Sequence, residues 1–105
     1  KEIIYRDIST FKGKFLEKLF VELLKEKQTY TNIGSYWERN NQNEIDIVAI
    51  DDIDKKLLIC EVKLSEKRLN YNDLVLKSQK LVQDYKAYEI EYKLLSIKNI
   101  GNFLN

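Results

Sequence analysis

Two short apolar runs, each interrupted by charge, constrain this chain more than anything else in it. Residues 44–50 read Glu-Ile-Asp-Ile-Val-Ala-Ile, and residues 57–64 read Leu-Leu-Ile-Cys-Glu-Val-Lys-Leu. Apolar runs of this length, bounded by polar turns, fit strands covered on both faces. Such strands have no room for an unpartnered ion, because burying one costs on the order of several kcal/mol. Asp46, Glu61 and Lys63 therefore need partners. Glu61 and Lys63 stand two apart, so strand alternation points both to one face. With the Asp46 strand as hairpin neighbour, its carboxylate reaches that face too, and two acids and an ammonium share one small pocket. Taken singly, each residue has a plainer explanation. A Glu and a Lys two apart form surface ion pairs on half-exposed strands, and an Asp at a sheet edge faces solvent. Together, inside runs this apolar, they favour a site.

The rest of the chain supplies the elements around those strands. Residues 9–27 read as an amphipathic helix, with Phe11, Phe15, Leu16, Leu19, Phe20, Leu23 and Leu24 on one stripe and Ser9 or Thr10 as N-cap. Residues 30–38 are aromatic and β-branched and read as a strand. Residues 40–43 and 51–54 are polar turns. A second helix is expected over residues 72–88, with Leu74, Val75, Leu81, Val82 and Tyr85 on one side, and a last strand over residues 92–97. The order is helix, three strands, helix, strand. Short connections predict an antiparallel meander for the first three strands. The last strand returns after a helix and joins in parallel by a right-handed crossover.

Composition narrows the chemistry. At 105 residues, the chain is expected to form a single domain spanning 1–105. It contains no His and one Cys, which excludes an imidazole–thiolate zinc site and a Ser-His or Cys-His nucleophile. A metal bound here would be a hard, oxygen-ligated cation. Lone Cys60 has no disulfide partner in the chain and points to a reducing, cytoplasmic setting. The net charge of +1 neither announces nor forbids a nucleic-acid partner. No run is apolar or long enough to span a bilayer, and no signal peptide is legible. The first residue is Lys1, so the chain is expected to be an excised part of a longer one.

Two carboxylates held close repel one another, and a divalent cation relieves that conflict. Mg²⁺ is typically held by one or two carboxylates with water and substrate phosphate. An adjacent Lys can serve the attacking water and offset developing charge. Asp46 followed by Glu61-Val62-Lys63 resembles the D…(D/E)-x-K signature of the PD-(D/E)XK nuclease superfamily, and the element order matches that superfamily's core. Gly13-Lys14-Phe15-Leu16-Glu17 resembles the first-helix motif of its resolvase-like branch. The flanking stretches are similar to the nuclease-like domain at the C-terminus of archaeal-type STAND/AAA+ ATPases: residues 33–39 (Ile-Gly-Ser-Tyr-Trp-Glu-Arg) and 43–49 (Asn-Glu-Ile-Asp-Ile-Val-Ala). The likeness covers residues 10–98. Ile45 stands where the superfamily's eponymous Pro would be.

The resemblance implies an α/β fold of the PD-(D/E)XK, restriction-endonuclease-like type, a mixed central sheet flanked by helices. It also implies roles. Asp46, Glu61 and the Val62 carbonyl would ligate Mg²⁺ or Mn²⁺, Glu17 would add a carboxylate from the first helix, and Lys63 would serve the nucleophilic water. Gln79 and Glu44 are accessory candidates. The expected partners are DNA and an upstream ATPase domain, with no membrane; a homodimer is compatible with the sequence. Tyr36, Trp37 and Arg39 could stack on bases or brace a phosphate, although packing against the core explains a Tyr-Trp pair as well. Lys63, Lys67 and Arg68 form a modest basic cluster beside the expected site. Three functions follow: a metal-dependent DNA nuclease, a nuclease-fold module that binds without cutting and regulates an attached ATPase, and a structural dimerisation module.

Overall fold

The computed structural model describes residues 2–39 and 43–99, with side chains described from residue 13 on. Its elements run α1 (Glu2–Glu26), β1 (Asn32–Trp37), β2 (Glu44–Asp51), β3 (Lys56–Val62), α2 (Tyr71–Lys77), α3 (Gln79–Gln83) and β4 (Glu89–Leu95). The sheet is mixed and four-stranded, in the order β1-β2-β3-β4. β1–β2 and β2–β3 pair antiparallel and β3–β4 pairs in parallel, as the connection lengths predict. No helix of the described residues is long and apolar enough to cross a membrane.

β3 is one of the two inner strands and is buried along almost its whole length, which is why it reads as a continuous apolar run. Its alternate residues feed two cores. On one face, Leu58, Cys60 and Val62 join Ile47, Ala49 and Leu95 under Leu16, Phe20, Leu23 and Leu24 of α1. On the other, Leu57 and Ile59 join Ile45 and Val48 under Leu74 of α2 and Leu81 of α3. The β2–β3 turn is held by Asp51, whose carboxylate accepts from the Ile53 and Asp54 N–H groups at 3.0 and 3.1 Å.

Both helical regions depart from the sequence reading at their ends. α1 begins at Glu2, so Ser9 and Thr10 lie inside the helix and not at its N-terminus; Ile4, Ile8 and Phe11 continue the helical spacing upstream. Phe11's side chain lies outside the described ones, and Phe15, expected on the buried stripe, is 58% exposed. At its other end α1 stops on Gln28, whose φ of 54° supplies the left-handed closure that a glycine would give more cheaply. The second helix is not one helix. Ser78 breaks it: its hydroxyl donates to the Leu74 carbonyl at 2.6 Å, and its own N–H divides between Leu74 and Val75. Back-bonding of this kind bends helices. After Gln83 the chain tightens into three-residue turns, with Asp84 and Tyr85 N–H bonded to Leu81 and Val82. The last strand starts at Glu89, three residues earlier than expected.

Two measurements check this core. Phe20 is fully buried under the sheet, so Phe20→Ala is expected to cost about 3–5 kcal/mol in urea unfolding, against a negligible change for Ile53→Ala, whose side chain is 82% exposed. Cys60 is also fully buried, and burial pushes its thiol up to about 12. A thiol reagent at pH 8 is expected to label no thiol in the native chain and one per chain in denaturant.

Candidate functional site

The site is built on an irregularity in β2. From Gly34 to Tyr36 β1 takes two steps, while its partners Val48 and Ile45 lie three apart, so β2 carries one extra residue. Val48 packs on the α2 side, and unbroken alternation would bring Asp46 there too. The extra residue gives that place to Ile45 instead. The β2–β3 ladder also ends here, at Ile47 and Cys60. One step further on, the Asp46 side chain takes over from the missing backbone acceptor: the Val62 N–H donates to Asp46 Oδ2 at 2.8 Å. The carboxylate is thus anchored in the seam where β2 and β3 part.

Around that seam lies an open hollow of about 400 Å³, bordered by Gly13, Lys14, Glu17, Asp46, Val62, Lys63, Leu64, Ser65 and Arg68. α1 brings Glu17 to it. Gly13, one turn earlier, borders the same space, and a Cβ there would meet nothing within 4 Å. The Glu17 carboxyl sits above the usual carboxylate range, first because it is partly buried and then because the Asp46 charge is near; Lys14 and Lys63 pull the other way. Lys63 lies just past the end of β3, its N–H bonded to the Leu95 carbonyl. A second hollow continues from Glu17 and Asp46 to Ser35, Trp37 and Glu44.

Of the residues expected at one pocket, Asp46, Glu17, Lys63 and Val62 border the same hollow. Glu61 is held elsewhere. It is 5% exposed, follows the α2-side alternation of Leu57 and Ile59, and its Oε1 accepts from Lys77 Nζ at 2.6 Å. The acids brought into electrostatic contact are therefore Glu17 and Asp46, rather than Asp46 and Glu61. Among the described residues no three His, Cys, Asp or Glu side chains form a metal-holding group. Gln79 opens α3 with an exposed side chain; the residue of that helical region that reaches a candidate acid is Lys77. Lys77 was not among the expected residues, although a signal for it existed. With Leu74 and Leu81 it falls at positions i, i+3 and i+7, which places a Lys on an apolar stripe. Lys14 was also passed over, because its helical position alone gave it no partner.

The raised Glu17 carboxyl makes a signed prediction. A carboxyl whose folded pKa exceeds its unfolded value binds more protons when folded, so its contribution falls as pH rises through that window. Glu17→Gln is expected to raise the melting midpoint at pH 7 and leave it unchanged at pH 4. Thermal melts across that range check this; an equal shift at both ends would show that Glu17 acts by packing alone.

Comparison with known proteins places the chain in a family without placing its chemistry. The model of the DUF234 family, described as archaea bacterial proteins of unknown function, matches residues 1–81. The chain is 34% identical over 118 aligned residues to the uncharacterized protein MJECL04 of Methanocaldococcus jannaschii. That alignment covers 98% of this chain and 26% of the relative, so the chain spans about a quarter of that protein's length. No solved structure matches the chain. With its family model covering most of its length, the chain belongs to the DUF234 family.

Proposed function

We propose that this chain is a PD-(D/E)XK-type nuclease domain that hydrolyses DNA phosphodiester bonds with Mg²⁺ or Mn²⁺, as the C-terminal part of an ATPase. The observation that carries the reading is the Asp46 carboxylate anchored by the Val62 N–H where β2 and β3 part, with Glu17 and Lys63 on the same hollow. The helix–three strands–helices–strand order, with its last strand parallel, supports the same assignment. The free and buried Cys60 suits a reducing cytoplasm.

A hard divalent cation fits the donor set. The donors are oxygens, and the mutual repulsion of Glu17 and Asp46 is relieved by positive charge between them. Two carboxylates with water and phosphate suffice for Mg²⁺. When bound, such an ion would polarise a phosphoryl oxygen and acidify a water. The chain's own residues do the rest. Asp46 is fixed in place before substrate arrives, so its orientation costs nothing at the moment of reaction. Lys63, Lys14 and Arg68 receive the phosphate and offset the charge that develops on it. Glu17 joins Asp46 as the second carboxylate toward the cation, and Lys63 on the same hollow is placed to serve the attacking water.

A specific observation favours a second reading. Glu61 is already neutralised by Lys77 in a nearly buried ion pair. A signature carboxylate balanced in this way fits a module that grips nucleic acid or a protein partner without cutting and regulates an attached ATPase.

Calorimetry and a nicking assay separate the two. Mn²⁺ is expected to bind weakly at one site, and Asp46→Ala to abolish that binding. Nicking of supercoiled DNA in Mn²⁺ is expected to fall about 100-fold in Lys63→Ala. An intact chain that gives no metal heat rejects the cutting reading, and duplex binding without nicking selects the second.

A further inference from the structure

Trp37 ends β1 with 66% of its surface exposed, an uncommon place for a residue type that is highly buried on average. Its neighbour Tyr36 packs on the α2 side, so alternation puts Trp37 on the α1 side. α1 covers Ile33 on that face and leaves Trp37 bare. Trp37 borders the same hollow as Glu17, Glu44 and Asp46. Past Asp46, that space opens toward Lys14, Lys63 and Arg68.

The strand end that carries Trp37 is pinned on both sides. Tyr36 Oη donates to Glu38 Oε2 at 2.9 Å, and Asn43 Nδ2 donates to Glu38 Oε1 at 2.9 Å. The Glu38 N–H donates to the Asn43 carbonyl at 3.0 Å. The backbone that carries Trp37 is therefore held in place, so only the indole's own torsions remain to be ordered when a ligand meets it.

An aromatic platform beside a hollow with clustered cations matches one chemical unit: a nucleotide, with its base on the ring and its phosphate at the cations. Within a duplex the base faces are stacked on one another, whereas an unpaired strand offers them to a protein. We propose that Trp37 is a stacking platform for an unpaired base next to the phosphate held at the Asp46–Glu17 hollow. The substrate class is then single-stranded or frayed DNA rather than intact duplex. This rests on the nuclease reading for the phosphate position, and Trp37 acts as a specificity-determining residue.

Trp37 is the sole tryptophan, so its emission reads the contact directly. The 105-residue chain is titrated without added metal, once with a short single-stranded oligodeoxynucleotide and once with the same sequence as a blunt duplex. Tryptophan emission and the anisotropy of labelled DNA are followed together. The single strand is expected to quench the emission and the duplex to leave it nearly unchanged. Trp37→Ala is expected to weaken single-strand binding about 10-fold, and Trp37→Phe to keep most of it. The inference is overturned by an anisotropy rise without quenching, by equal affinity in the Ala variant, by a duplex that quenches as strongly, or by no binding of either DNA. Quenching in a chain that never nicks DNA in Mn²⁺ keeps the platform and removes the cutting. Nicking without quenching does the reverse.

Discussion

The hydrogen bond from the Val62 N–H to the Asp46 carboxylate is the contact on which the site depends. It closes the gap left where the β2–β3 ladder stops. A buried N–H without an acceptor would cost about 1–3 kcal/mol, and a carboxylate without a donor would be harder still to keep there. The same bond satisfies both groups. It also fixes where the acid sits, so a structural need and a chemical one are met by one side chain. The extra residue in β2 makes this possible, because without it Asp46 would follow Val48 toward the helices of the opposite face.

The charges of the molecule sort by the element that delivers them. α1 brings Glu17 and Lys14, the seam brings Asp46, and the segment after β3 brings Lys63 and Arg68. Both signs border one open hollow, the basic side chains available to a phosphate and the two acids to a cation. The pair of Glu61 and Lys77 stands apart as an inward-facing, nearly dry contact. In such a place breaking the pair costs more than its formation gains, since either partner alone would be a buried charge. That asymmetry explains why a Lys is tolerated on the buried stripe of α2, between Leu74 and Leu81.

Much of the architecture was legible because it depends on local periodicity. The strand runs of β2 and β3, the stripe of α1 and the parallel return of β4 all follow from spacing and connection length. The failures occur where a single side chain overrides the pattern. Ser78 sits in an otherwise helical stretch and takes the Leu74 carbonyl for its own hydroxyl, so one expected helix becomes two short ones. Phe15 fits the apolar stripe by spacing, yet more than half of its surface stays exposed. Of the candidate site, Asp46, Glu17 and Lys63 could be named as residue types out of place, but their mutual arrangement could not be read off.

By itself the sequence determined the donor chemistry and the strand order. With no His and one buried thiol, the candidate ligands are oxygens wherever the chain goes, and short turns leave the first three strands little choice of neighbour. Tertiary structure alone decided which acids meet. Strand parity predicts one side for Glu61 and Lys63, but Lys63 lies past the end of β3 and borders the hollow with Asp46, which the bulge opposite Ser35 turns away from the Glu61 side. Lys77, from a helix 16 residues further on, then claims the Glu61 carboxylate. Both events are set by packing between distant segments, where an inserted residue or a reachable counter-ion outweighs a preference of neighbouring residues.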